Sequence, residues 1–129
     1  MIKTKKKRTD TMQTERYIVS LFGPDTGFYS TEYITWLWEE CANREYKDCG
    51  IFVTGLIDTG RLVCGRIRGC ELGETAHSIS SVRNPIETPD ETEFYHAFRN
   101  IVREVKEKLG NPSMTITIET IRFHYFVQP

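Results

Sequence analysis

TPDETEFYHAFRNIVREVKEKLG, residues 88–110, is the stretch on which the fold assignment turns. Thr88 with Glu91 three residues on makes a capping box, and Pro89 suits a first helical position, where its missing N–H costs nothing. Phe94, Phe98, Ile101, Val102, Val105 and Leu109 recur at about 100° per residue and form one apolar stripe. Gly110 supplies a left-handed stop, and Pro112 prevents resumption. The spacing predicts a helix over 89–109 that must bury one face against another layer.

An earlier segment has the same period. After Ser30 or Thr31 as N-cap, Ile34, Leu37, Trp38, Cys41 and Ala42 fall on one stripe, which predicts a helix over 31–46 closed by Cys49-Gly50. Trp36 points away from that stripe. Around these helices lie strand-like runs. Residues 17–22 are β-branched and aromatic, and they end at the turn-forming loop 23–27. Residues 51–57 and 62–67 read as a hairpin through Asp58-Thr59-Gly60. Residues 76–82 could add a fifth strand. Residues 114–127 alternate, but their apolar phase slips by one near Glu119-Thr120, which predicts a bulge or break there.

The resulting order, β-α-β-β-α-β, is the α+β, ferredoxin-like split arrangement: a four- to five-stranded antiparallel sheet with two helices on one face. That layout hosts many unrelated functions, so function must be argued from a site.

Composition narrows the class. With 129 residues, 39% apolar and 27% charged, the chain fits one globular domain. Residues 1–9 carry five basic side chains and no acid, leaving 12 basic against 18 acidic groups in the rest. The expected organisation is a flexible basic arm over 1–15 and a single acidic α+β domain over 16–129. No apolar run is long enough to span a bilayer, and the basic start is not followed by an apolar segment. A cytoplasmic protein with four reduced cysteines (Cys41, Cys49, Cys64, Cys70) and no membrane association is expected.

No motif names a reaction. The cysteines and histidines lack zinc spacing, no cofactor fingerprint is present, and loop 23–27 matches no phosphate-binding pattern. A Cys/His pair drawn from Cys64 or Cys70 with His77 or His124 is the one conceivable catalytic couple. Two surfaces stand out instead. If residues 62–67 form a strand, Arg66 and Arg68 share the face away from the helices with Arg122 and His124, and Phe52 adds an aromatic. Guanidinium beside an aromatic suits phosphate clamping and base stacking. Trp36, with Tyr33 and Tyr29 nearby in sequence, puts a large apolar area on the back of an amphipathic helix, as interfaces do. The reading that follows is a non-catalytic, self-associating binding module for an anionic ligand, a nucleotide or a single-stranded nucleic acid such as RNA. Its alternatives are a protein-interaction or inhibitory module acting through the acidic surface, and a small enzyme using the Cys/His pair.

Overall fold

The computed structural model describes residues 11–22, 26–69 and 72–126. Both helices form where the apolar period requires them. Helix α1 spans Thr31–Cys49; the Ser30 side chain accepts from the Tyr33 N–H, and Gly50 closes the helix at φ 78°. Its buried residues are Ile34, Leu37, Trp38, Cys41 and Ala42, the stripe read from the sequence. Helix α2 spans Glu91–Lys108, and its N-cap is Asp90, not Thr88. The Asp90 carboxylate accepts from the Thr92 and Glu93 N–H groups, satisfying donors the helix itself leaves open.

Four strands complete the βαββαβ order: β1 (Thr11–Phe22), β2 (Leu56–Leu62), β3 (Glu74–Val82) and β4 (Ser113–His124). They lie in the order β2-β3-β1-β4 with every neighbouring pair antiparallel. The expected ferredoxin-like α+β fold is what forms. Among the described residues no helix is long and apolar enough to cross a membrane.

Three local expectations are corrected. β1 begins at Thr11, so residues 11–15, expected in the basic arm, are strand; residues 1–10 lie outside the described residues. The hairpin is displaced. Asp58, Thr59 and Gly60 are not a turn but the middle of β2, paired with Ser78, His77 and Ala76 of β3. Ladder pairing overrides the local turn preference there. Residues 63–67 are consequently not a strand: Arg66–Arg68 form a 3₁₀ turn bracketed by Gly65 and Gly69 at φ 92° and 82°, conformations that favour glycine. The expected bulge in the last strand is also absent, because β4 pairs with β1 in one unbroken register from Ser113 opposite Phe22 to His124 opposite Thr11. The apolar phase changes because the strand lies at an edge. Met114 faces the helix layer, whereas Ile121 and Phe123 lie on the opposite face.

The core lies between the helices and one face of the sheet. Tyr17, Val19 and Leu21 of β1 and Ile79 of β3 meet the α1 stripe and Phe94, Phe98, Ile101 and Val105 of α2. The Phe98 ring lies 5.2 Å from Tyr17 and 6.0 Å from Trp38. Trp38 also reaches the chain entering β2, donating its indole N–H to the Val53 carbonyl at 3.1 Å. Gly55 passes so close to it that an added Cβ would lie 2.7 Å from the indole nitrogen and 2.9 Å from Ile79 Cγ2.

Two substitutions test this packing. Phe98→Ala should cost about 3–5 kcal/mol of stability, the range for truncating a core aromatic. Gly55→Ala should cost about 1–3 kcal/mol through overpacking and should shift the tryptophan emission. Urea unfolding checks both, and a neutral Gly55→Ala would contradict the close approach.

Candidate active site

Segment 51–55 alternates as it approaches β2: Val53 is buried, while Phe52, Thr54 and then Leu56 are exposed. Trp38 holds the inward residues, so the outward ones form a fixed wall. Beside it, on the sheet face turned from the helices, is a hollow of about 490 Å³ lined by Arg16, Ile18, Thr54, Gly55, Leu56, Ser80 and Val82. Thr54 and Val82 also line an adjoining hollow of about 410 Å³, which is completed by residues including Phe52, Asn84, Glu87, Thr88, Phe123, His124 and Tyr125. The two make one groove of the size that small ligands occupy. Aromatic rings dominate one end, where Phe123 and Tyr125 stack at 6.0 Å with an interplanar angle of 15°.

The polar rim comes from the connection between β3 and α2. Asn84 folds it into a turn, its side-chain oxygen accepting from the Ile86 N–H and its carbonyl from the Thr88 N–H, both at 2.9 Å. Beneath the rim, Arg83 donates from Nε and Nη2 to the Glu15 carboxylate at 2.7 and 3.0 Å. Its Nη1 donates to the carbonyls of Thr88 and Pro89 at 3.0 and 3.2 Å. Tyr17 donates its hydroxyl to Glu15 at 3.0 Å, and Thr14 donates to the Arg83 carbonyl at 2.7 Å. The Arg83 hydrogen bonds hold the Glu15 carboxyl below the usual carboxylate range, outweighing the opposing effect of burial. Burial pushes the Tyr17 hydroxyl well above its ordinary value, with the Glu15 bond acting in the same sense.

The residues expected to form a ligand site part company. Arg66 and Arg68 sit in the 3₁₀ turn between β2 and β3. Arg122 lies on β4 at the other edge of the sheet, opposite Gln13, with alternation putting it on the helix-layer side, and His124 stands at the end of that strand, opposite Thr11. The shared arginine face therefore does not form. Phe52 and His124 do meet, at the aromatic end of the groove. Tyr29, Tyr33 and Trp36 come together as a stack, with ring centroids 5.5 and 5.9 Å apart, and Trp36 remains 53% exposed.

Of the two thiols read for the Cys/His couple, Cys70 lies outside the described residues. Cys64 is disulfide-bonded, against the expectation of a reduced thiol. Burial pushes the Cys41 thiol up to about 11, and Cys49 is likewise raised by burial. His77 is buried and hydrogen-bonded to the Thr59 hydroxyl at 2.9 Å. Among the described residues, no group of histidine, cysteine and acidic side chains could hold a metal ion. Sequence reasoning missed Glu15, Arg83, Asn84 and Glu87, because their meeting depends on β3 pairing with β1, which no local pattern discloses.

Comparison with known proteins supplies what local motifs do not. Among solved structures, a phage SAM lyase in its apo state aligns with TM-score 0.54 at 14% identity, covering 92% of this chain and 91% of that one. A phage SAM lyase in complex with S-methyl-5'-thioadenosine aligns with TM-score 0.53 at 16% identity, covering 87% and 88%. A de novo designed protein, Foldit4, aligns with TM-score 0.50 at 14% identity over 85% of this chain and 99% of its own. At such identities the likeness is one of fold alone. No curated protein matches the sequence. A family model described as SAM lyase, however, matches residues 12–127. That match runs through every strand and helix and overturns the non-catalytic binding module in favour of an enzyme: the chain belongs to the SAM lyase family.

Proposed function

We propose that this protein cleaves S-adenosylmethionine in the groove on the open sheet face, releasing S-methyl-5'-thioadenosine. The family match over residues 12–127 carries the reading. The product is the one bound in a phage SAM lyase of similar fold. For that product to form, the bond between sulfur and the four-carbon amino acid arm must break. Its electron pair moves to sulfur and neutralises the sulfonium. A lyase consumes no water, so the carbon is satisfied from within the arm, by its own carboxylate oxygen or by loss of a neighbouring proton.

The groove suits such a substrate. Phe52, Phe123 and Tyr125 offer faces for the purine. Thr54, Asn84 and Thr88 offer hydrogen-bonding groups to the ribose, and the Glu87 carboxylate suits the α-ammonium. No general acid is required, because a neutral thioether leaves without a proton. A nucleoside-type ligand and a cytoplasmic site of action, where this substrate is made, belong to the same proposal.

Self-association belongs to it as well. The Tyr29, Tyr33 and Trp36 stack leaves a large aromatic area in water, and such residues are enriched at interface centres.

Incubation of the purified protein with S-adenosylmethionine should yield S-methyl-5'-thioadenosine by mass spectrometry, in proportion to time and enzyme. Phe52→Ala should raise KM about tenfold, since stacking on one aromatic is worth about 1–3 kcal/mol. A wild type that leaves the substrate intact would refute the reading. Trp36→Ala should shift the protein to smaller species in analytical ultracentrifugation with an unchanged far-UV spectrum. A wild type that sediments as a monomer at high micromolar concentration would remove the self-association.

A further inference from the structure

Taking the cleavage of S-adenosylmethionine above as given, we infer that the buried Glu15–Arg83 pair is a positioning device for the groove's polar rim. Its neutrality as a pair also sets the charge that the rim presents to a cationic substrate. Arg83 and Glu15 are 5% and 8% exposed. The guanidinium sits between two acceptor sets. On one side is the Glu15 carboxylate of β1, and on the other the Thr88 and Pro89 carbonyls, where the rim enters α2. Backbone bonds tie the same place to β1, with the Arg83 N–H donating to the Glu15 carbonyl at 3.1 Å. Asn84 to Thr88 are thus a short bridge fixed at both ends by one side chain. That bridge carries Asn84, Glu87 and Thr88 into the groove.

The charges follow from the same contacts. S-adenosylmethionine carries a sulfonium, an ammonium and a carboxylate, so its net charge is +1. An isolated guanidinium behind the rim would repel it. Glu15 cancels that charge where it arises, and the hydrogen bonds that hold its carboxyl ionised keep the cancellation in force. Besides the Tyr125 phenol, three other charged or titratable groups line the groove. Arg16 is paired with Glu119 at 3.5 Å, and the His124 ring meets the Thr11 hydroxyl at 3.3 Å. The Glu87 carboxylate has no ion-pair partner among the described residues. With the buried pair neutral, Glu87 is the groove's uncompensated charge, and its sign is the one the substrate requires.

The two halves of the inference separate experimentally. S-adenosylhomocysteine has the same arms as the substrate but one positive charge fewer, so its inhibition constant reports rim geometry without the charge difference. Glu15→Gln removes the charge and keeps an acceptor. It should raise KM for S-adenosylmethionine on the order of tenfold, the scale of uncovering one like charge behind the rim at an intermediate dielectric. The inhibition constant should change less than about twofold, and kcat should hold. Arg83→Lys keeps the charge but loses the fork that grips both acceptor sets. It should raise both constants by the same factor, and it tests the positioning half even where Glu15→Gln fails to fold. Equal shifts in both constants for Glu15→Gln, or wild-type constants for Arg83→Lys, would overturn the inference while leaving the wild-type reaction in place. A wild type with no turnover would instead overturn the reading on which it rests.

Discussion

Trp38 is the contact through which helix packing becomes site geometry. Its indole lies on the buried stripe of α1, close to Phe98 of α2, and its N–H spans to the Val53 carbonyl outside the sheet ladder. A buried indole needs an acceptor, and a strand approach without ladder partners needs a donor. Each supplies what the other lacks. Because Gly55 has no Cβ, the chain can pass against the ring, and the alternation on either side then sends Phe52, Thr54 and Leu56 outward. One wall of the groove is therefore as rigid as the core behind it.

The opposite rim is held by different physics. Where Trp38 works by packing and one neutral hydrogen bond, Arg83 works by charge. A buried ion pair seldom adds stability over an apolar replacement, since desolvation consumes most of the Coulomb gain. What it provides is direction, because a guanidinium accepts few geometries and here it must satisfy a carboxylate and two carbonyls at once. A rim fixed in this way suits catalysis, where small displacements of positioning groups are costly.

The sequence disclosed these features unevenly, for reasons that can be named. Both helices were legible because their stripes are contiguous in sequence and need no partner to be recognised. Their ends were less so: Thr88 has the chemistry of an N-cap, yet Asp90 takes the role while the Thr88 carbonyl serves Arg83. The sheet failed where identity depends on pairing. Asp58-Thr59-Gly60 has turn composition but lies in a ladder, and residues 74–82 look too polar for a strand next to the centre. That strand is polar because Ser78 and Ser80 lie on the open face while His77, Ile79 and Ser81 are buried. A hairpin placed over 51–57 and 62–67 puts Arg66 and Arg68 on a strand face with Arg122, whereas the strand before them ends at Leu62 and they lie in a turn. The aromatic cluster on α1 survived because its residues are helical neighbours.

The missing catalytic motif has its own explanation in the proposed chemistry. Motif searches find groups that donate protons, accept them or attack. A sulfonium displaced by its own arm's carboxylate and leaving as a thioether needs none of these, so an enzyme working by that route can lack them all and still accelerate the reaction through environment. Only interactions stronger in the transition state contribute to rate. As the bond breaks, sulfur loses its positive charge while the ammonium keeps its own. A carboxylate fixed beside sulfur would favour the ground state and raise the barrier; beside the ammonium it binds both states alike. The useful arrangement therefore puts Glu87 at the amino acid end and low-polarity surface around sulfur. In the groove, Glu87 belongs to the β3–α2 rim, whereas the apolar Gly55 and Leu56 belong to the wall that Trp38 holds. The two anchors, one apolar and one ionic, thus hold the two kinds of surface that the reaction needs kept apart.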